Sequence, residues 1–381
     1  MARGKRGYWH ELPGFRLYSE MPEIAAALER FLVGAQEEIL LEIYIFEAGD
    51  WPGRIMDILE AKARAGLRVR VTLDAIGSMA FPRAWFERLE AAGVRVIWFN
   101  RLKFLRLRRT MHRTHRRVLV IDGALAVTGG FAIADDWLTG ARTGRPYRDL
   151  MIAFQGPLVI QMRTAFASVH PHALAPLRGG RPVLEAGPGL GRGRLLINAP
   201  PSRTMIHKRL VAAIRAARRE VWIVSPYFNP DFWVRRALYR AARRGVDVRI
   251  LLPGPLTDHP ILRYGSRRYY HKMLTAGVRI FEYTPAFMHS KCAIVDGRWA
   301  TIGSANLDLL SHWFNQELNL ECRGRPLVSL LVVLFSRELR LSREILLQDW
   351  QMRPFWERLL EEGLGIIDRL LQRRTLASYR R

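Results

Sequence analysis

Residues 289–306 read H-S-K-C-A-I-V-D-G-R-W-A-T-I-G-S-A-N. Apolar Cys292, Ile294 and Val295, followed by Asp296-Gly297, predict two short strands joined by a hairpin. Period-two alternation then points His289 and Lys291 to one face. Ser304 and Asn306, just past the second strand, add a hydroxyl and an amide. Imidazole, ammonium, hydroxyl and amide gathered at one spot suit a phosphate, with donors for its oxygens and a nucleophile or proton carrier beside them.

The pattern occurs a second time, 174 positions upstream, where residues 115–132 read H-R-R-V-L-V-I-D-G-A-L-A-V-T-G-G-F-A. His115, Arg117, Asp122 and Gly129 fall in register with His289, Lys291, Asp296 and Gly303, and Gly130 joins Ser304 and Asn306 as a candidate phosphate-binding position. A pattern H-x-K-x4-D-x6-G-[GS] occurring twice in one chain resembles the phospholipase D superfamily. Two departures mark the upstream copy: Arg117 stands where Lys is usual, and Ala132 where the downstream copy has Asn306. The aspartates Asp122 and Asp296 each precede Gly at a hairpin turn, which favours a structural role for them.

The chain has 381 residues, enough for two domains, and 49% hydrophobic with 10% aromatic content supplies their cores. A formal net charge of +25 implies an anionic partner, either an acidic membrane surface or a nucleic acid. Two cysteines, Cys292 and Cys322, make neither a disulfide framework nor a metal-ligand set, so a reducing cytoplasm is expected. The start, M-A-R-G-K-R-G-Y-W-H-E-L, is basic but lacks the apolar core of a signal peptide. The longest apolar run, 326–335, falls short of the ~20 residues a spanning helix needs. The expectation is a protein that lies on a membrane without crossing it.

Around the motifs a grammar of helix, Gly and strand repeats. Helical spacing over 22–35 feeds the apolar run E-I-L-L-E-I-Y-I-F at 38–46, and helices ending at Gly66 and Gly93 precede the strands 67–73 and 94–99. The same succession returns at 210–228, 234–252 and 275–283, about 180 positions later. These repeats predict an α/β protein made of two duplicated units, 15–177 and 195–381, joined by a Gly-, Pro- and Arg-rich linker at 178–194. The second unit carries a helical tail.

The resemblance adds the arrangement: two such domains, each a sheet flanked by helices, related by a pseudo-twofold axis with one active site between them. Each half also supplies an acid after its motif, Asp149 in Y-R-D-L and Glu317 in N-Q-E-L-N. A carboxylate that accepts one imidazole N–H fixes the tautomer that leaves the other nitrogen free to attack. The resemblance implies that this pairing crosses the halves, Glu317 with His115 and Asp149 with His289. It further implies that one histidine, His115 by family pattern, forms a phosphohistidine while the other carries the proton. Lys291 and Arg117 neutralise the phosphate oxygens, so neither a metal nor another cofactor is expected.

Gly77-Ser78, the Y-I-F-E run at 44–47, S-P-Y-F at 225–228 and the Q-D-W and R-P-F-W runs within 348–356 resemble the shorter type of bacterial cardiolipin synthase. That implies transfer of a phosphatidyl group between phospholipids, with phosphatidylglycerol as substrate, at the cytoplasmic side of the cell membrane. Residues 100–117 mix Leu, Phe and Met with dense positive charge, which suits an anionic bilayer. Nucleic-acid phosphates would answer the charge equally, but a single aromatic, Phe104, offers little for base stacking. Hydrolysis of a phosphodiester and a non-catalytic binding role stand as the alternatives.

Overall fold

The structure is a computed structural model that describes residues 9–101, 112–170, 174, 176–177, 191–199, 204–355, 358 and 363. The helix Met21–Gly34 starts on a proline near its first turn and buries Ile24, Leu28, Phe31 and Leu32, the stripe its spacing predicts. Full burial of each such side chain contributes about 1.5–3 kcal/mol. Helices Asp50–Arg64 and Arg83–Ala91 follow. Gly66 and Gly93, each at φ +89°, turn the chain out of them into strands, a left-handed conformation that a residue with a Cβ resists.

Among the described residues seven strands form the first sheet: β2 (Phe15–Glu20), β3 (Glu38–Ile43), β4 (Arg68–Asp74), β5 (Arg95–Phe99), β6 (Val118–Ile121), β7 (Leu125–Gly129) and β8 (Arg148–Gln155). Their order is β2-β8-β7-β6-β3-β4-β5, with β3, β4 and β5 parallel and the motif hairpin β6-β7 antiparallel beside them.

The second half repeats that order with β9 (Gly191–Asn198), β10 (Glu220–Val224), β11 (Asp247–Pro253), β12 (Arg279–Tyr283), β13 (Cys292–Val295), β14 (Trp299–Gly303) and β15 (Glu317–Arg323). These run β9-β15-β14-β13-β10-β11-β12, flanked at the edges by β1 (His10–Leu12) and β16 (Ser342–Ile345). Residues 191–194, expected in the linker, are instead the first residues of β9: the run G-R-G-R alternates as a strand, and from Arg192 on its register against β15 is continuous. Residues 178–190 of the expected linker and 1–8 of the basic start lie outside the described residues.

The two sheets share a core. Leu40, Val120 and Ile152 from one and Val224, Ile294 and Ile302 from the other join the helices Leu158–Ala167 and Arg325–Arg340 in one buried cluster. The apolar run at 326–335 belongs to the second of these helices, and no described helix is long and apolar enough to cross a membrane.

Candidate active site

Both motif hairpins turn through residues at positive φ, Asp122 and Gly123 at 52° and 62°, Asp296 and Gly297 at 54° and 59°. Asp and Gly tolerate that geometry better than other residues. The aspartate side chains reach away from their own turns. Asp122 accepts the backbone N–H of Gln36, Glu37 and Glu38 at 2.7–2.9 Å, and Asp296 accepts those of Arg218, Arg219 and Glu220. In each half the motif aspartate fastens the chain entering the neighbouring parallel strand.

Ahead of each hairpin the chain crosses to the other half. His115 N–H donates to Gln316 C=O at 2.9 Å and Gln316 N–H to Arg113 C=O at 2.8 Å. Likewise His289 N–H donates to Arg148 C=O at 2.7 Å, and Arg148 N–H to Phe287 C=O at 2.9 Å. Each histidine is therefore pinned beside the residue preceding the opposite half's acid. The side chains complete the pairing: His289 Nδ1 lies 2.7 Å from Asp149 Oδ2, and His115 Nδ1 lies 3.0 and 3.1 Å from the two oxygens of Glu317. All four side chains are buried.

The cations repeat the symmetry. Lys291 Nζ donates to the carbonyl of His289, and Arg117 Nη1 to the carbonyl of His115. Arg117 uses a further donor, Nε, on Phe131 C=O at 3.0 Å, and its guanidinium stands 5.6 Å from the Tyr44 ring centre. Lys291 Nζ is also 2.9 Å from Nδ1 and 3.0 Å from Nε2 of His289, lodged against the ring rather than on one lone pair.

Burial sets the charge states. Desolvation and then the Lys291 charge push His289 down to about 4, while Asp149 pulls it back up. His115 falls well below the usual imidazole range, through burial and then the charges of Arg117 and Lys291. Burial lowers Lys291 to about 7 against the pull of Asp149, and burial raises Glu317 well above the usual carboxyl range. His115 and Lys291 each feel Arg117, and His115 also feels His289, so the two motifs share one electrostatic site.

The three candidate phosphate-binding positions are all engaged within the protein. Ser304 Oγ donates to Glu317 and accepts Leu318 N–H at 3.0 Å, so the hydroxyl holds the acid. Gly130 N–H donates to Leu150 C=O at 3.0 Å; a Cβ there would meet Asp149 Oδ1 at 2.2 Å, so the glycine makes room for the carboxylate. Asn306 donates its side-chain amide to Asp308 and its backbone N–H to Ser311 Oγ at 3.2 Å, leaving Oδ1 buried without a hydrogen bond. A buried carboxylate needs donors of its own, and Ser304 and Asn306 supply them to Glu317 and Asp308. Ala132, in place of Asn306, is packed in the first half's core.

The basic stretch at 100–117 is corrected in part. Arg113 forks onto Asp74 at 2.7–3.0 Å and Arg116 onto Glu42 at 2.8 and 2.9 Å, both buried, so the charges flanking His115 face inward. Residues 102–111 lie outside the described residues, as does Trp356 of the R-P-F-W run.

Aromatic side chains that sequence spacing did not single out as site residues enclose the histidines. Tyr44 meets the His115 ring edge-on at 4.8 Å, and Trp137 meets His289 at 5.3 Å. Tyr227 stands 6.3 Å from His289 and donates to Asp258 at 2.7 Å. Tyr44 and Tyr227 fall in the Y-I-F-E and S-P-Y-F runs, whereas nothing in the local sequence points to Trp137. Among the described residues one group carries metal-ligand chemistry, His207, Asp231 and His312, and it takes no part in these pairings.

Duplicated α/β halves that each donate a histidine, a cation and an acid to one shared site define a protein of the phospholipase D superfamily. The family model described as cardiolipin synthase, PLD-like domain matches residues 28–140 and 210–339. A cardiolipin synthase of Alkalihalophilus pseudofirmus is 33% identical over 93% of this chain and 72% of its own length; one of Geobacillus kaustophilus is 35% identical over 91% and 70%. Among solved structures, phosphatidylserine synthase of Haemophilus influenzae superposes with a TM-score of 0.71 over 97% of this chain and 96% of its own at 13% identity, a likeness of fold. The chain belongs to the phospholipase D-like cardiolipin synthase family.

Proposed function

We propose that this protein makes cardiolipin by moving a phosphatidyl group from one phosphatidylglycerol to the hydroxyl of another, through a phosphohistidine on His115. The family membership makes it a phospholipase D-type phosphatidyltransferase. What supports these residue roles is that each imidazole has its Nδ1 on a carboxylate of the opposite half, which leaves Nε2 of each ring as the nitrogen for substrate.

The surroundings divide the labour. Burial and then the charges of Arg117 and Lys291 hold His115 neutral and fit for attack, while at His289 the carboxylate of Asp149 partly offsets the burial and the Lys291 charge that lower it. An anionic phosphodiester between the rings adds to the pull of Asp149 and raises His289 back toward the protonated form. His115 Nε2 attacks phosphorus and the bond to the leaving glycerol oxygen breaks as His289 delivers its proton there. The acceptor hydroxyl then returns a proton to His289 as its oxygen displaces His115. Arg117 and Lys291 offset the charge that builds on the non-bridging oxygens.

Burial of both rings supports transfer over hydrolysis, because water is kept from the intermediate. Such substrates fit a protein at the membrane surface, and we assign it to the cytoplasmic face. Ile261 and Leu262, 68% and 50% exposed, stand just beyond His259, which packs 6.1 Å from Tyr227 beside the site, and they suit contact with acyl chains rather than nucleic acid.

The test is to present labelled phosphatidylglycerol in anionic vesicles to the wild type, His115→Ala and His289→Ala. Cardiolipin and free glycerol from the wild type alone are expected. Phosphatidic acid as the main product makes the protein a hydrolase, cleavage of DNA alone makes it a nuclease, and activity surviving both substitutions refutes the assignment.

A further inference from the structure

His207 lies on the helix Met205–Ala216, Asp231 precedes the helix Phe232–Arg243, and His312 lies in the helix Leu309–Trp313. Three separate segments of the second half thus bring two imidazoles and a carboxylate together, with one ligand atom from each within 4.8 Å of the others. All three residues are buried, His312 at 1% exposure and none above 8%.

The carboxylate of Asp231 is divided between two tasks. Oδ1 accepts Val234 N–H at 3.0 Å and caps its helix. Oδ2 lies 2.7 Å from His207 Nε2 and 3.4 Å from Trp313 Nε1. At that short approach the contact of His207 Nε2 with Asp231 is electrostatic rather than a well-aligned hydrogen bond, and His312 Nδ1 is buried without a hydrogen bond. An imidazole nitrogen left without a hydrogen bond in an interior costs about 1–3 kcal/mol. Nitrogen and oxygen that approach closely without pointing at each other are arranged as ligands of a third atom are.

We propose that His207, Asp231 and His312 bind one divalent transition-metal ion, with Zn2+ the best match. Two imidazole nitrogens and one carboxylate oxygen form a three-ligand Zn2+ set with a fourth position open, whereas Ca2+ and Mg2+ take oxygen ligands. Bonds of about 2.0–2.2 Å place ligand atoms roughly 3–3.5 Å apart, within reach of side-chain rotation from the separations present.

The ion would act on structure, with no step of the transfer passing through it. It would fasten the helix Leu309–Trp313, whose Ser311 Oγ holds Asn306, and whose following residue, Phe314, offers its carbonyl to His112 of the other half at 3.0 Å. That segment leads directly to Gln316 and Glu317, the bridge and acid that position His115.

Full-length protein stripped with a chelator and titrated with Zn2+ alone, then with Co2+ alone, decides the matter. One bound equivalent, an unfolding midpoint raised by several degrees and a visible Co2+ spectrum typical of four-coordination are expected. His207→Ala and His312→Ala should abolish all three. Asp231→Asn, which keeps a good helix cap, should retain the fold by circular dichroism and weaken Zn2+ binding at least tenfold. No bound metal and no midpoint shift in the wild type overturns the proposal, and so does undiminished binding by Asp231→Asn or by the His207→Ala/His312→Ala double variant.

Discussion

His289 Nδ1 lies 2.7 Å from Oδ2 of Asp149, a residue 140 positions earlier in the other half. Backbone pairing of His289 with Arg148 sets that approach, so the dyad depends on the contact between halves as much as on the side chains. In Asp149→Asn the amide cannot hold the imidazole in the same tautomer, and kcat should fall by about 10^3 to 10^4. Glu317→Gln should do likewise through His115. Steady-state rates on vesicles check this, with circular dichroism confirming the fold. A loss under tenfold in both would remove the carboxylates from the mechanism.

Arg117 is held by two carbonyls, those of Phe131 and His115, where Lys291 is held by one. Arg117→Lys keeps the charge and can repeat the Lys291 contact, leaving Phe131 C=O without its donor. We expect kcat within about tenfold of wild type, against a loss of about 10^2 to 10^3 for Arg117→Ala. Equal loss in both variants would mean that the fork, rather than the charge, is what the reaction requires.

Lys291 is pushed down to about 7 by burial, and its positive charge is the form that neutralises phosphate. As pH rises through 7 the charge is lost, so kcat/KM should decline on the alkaline side. Lys291→Arg stays charged and should move that decline upward by more than one pH unit. An unchanged alkaline limb in the variant would assign it to another group.

The histidines and cations were legible in the sequence because duplication repeats them 174 positions apart, and the acids because each follows its motif at a comparable distance. What their neighbours do was not. Whether Ser304, Asn306 and Gly130 face substrate depends on which carbonyls and carboxylates close around them, and that is fixed by pairing between distant strands. Arg113 and Arg116 read as surface charge because their partners, Asp74 and Glu42, sit in strands far back in the chain. The aromatic shell of His289 likewise comes from separate segments, Trp137, Tyr147, Tyr227 and Phe287. His207, Asp231 and His312 carry no local signature at all. By contrast the helix, Gly, strand grammar was readable since its signals are local: periodicity within one helix and a left-handed glycine after it.

Asp122 is surrounded by backbone donors, and Asp122→Ala would leave the N–H groups of Gln36, Glu37 and Glu38 without their acceptor. The loss should be about 2–4 kcal/mol, read as a lowered urea midpoint with kcat per folded molecule little changed. Asp296→Ala should cost less, because the N–H groups of Arg218 and Arg219 are exposed to water that can replace the carboxylate. Equal midpoints for the two variants would contradict that ranking.

Lys291 also predicts an opposition between activity and stability. Its ammonium is unfavourable in the folded site, since burial lowers it from 10.5 to about 7. The unfolded chain therefore binds the proton more tightly than the folded one between those values, and folding is penalised in full below pH 7 and progressively less up to pH 10.5. Lys291→Met removes the charge while keeping an unbranched apolar stem. The variant should be inactive yet more stable, on the order of 3 kcal/mol at neutral pH. Its advantage over the wild type should shrink as pH rises toward 10. Urea midpoints measured for both proteins from pH 6 to pH 10 test this, and a gap that stays constant or widens with pH would show that the ammonium is well accommodated between Asp149 and Glu317 and that the lost activity has another cause.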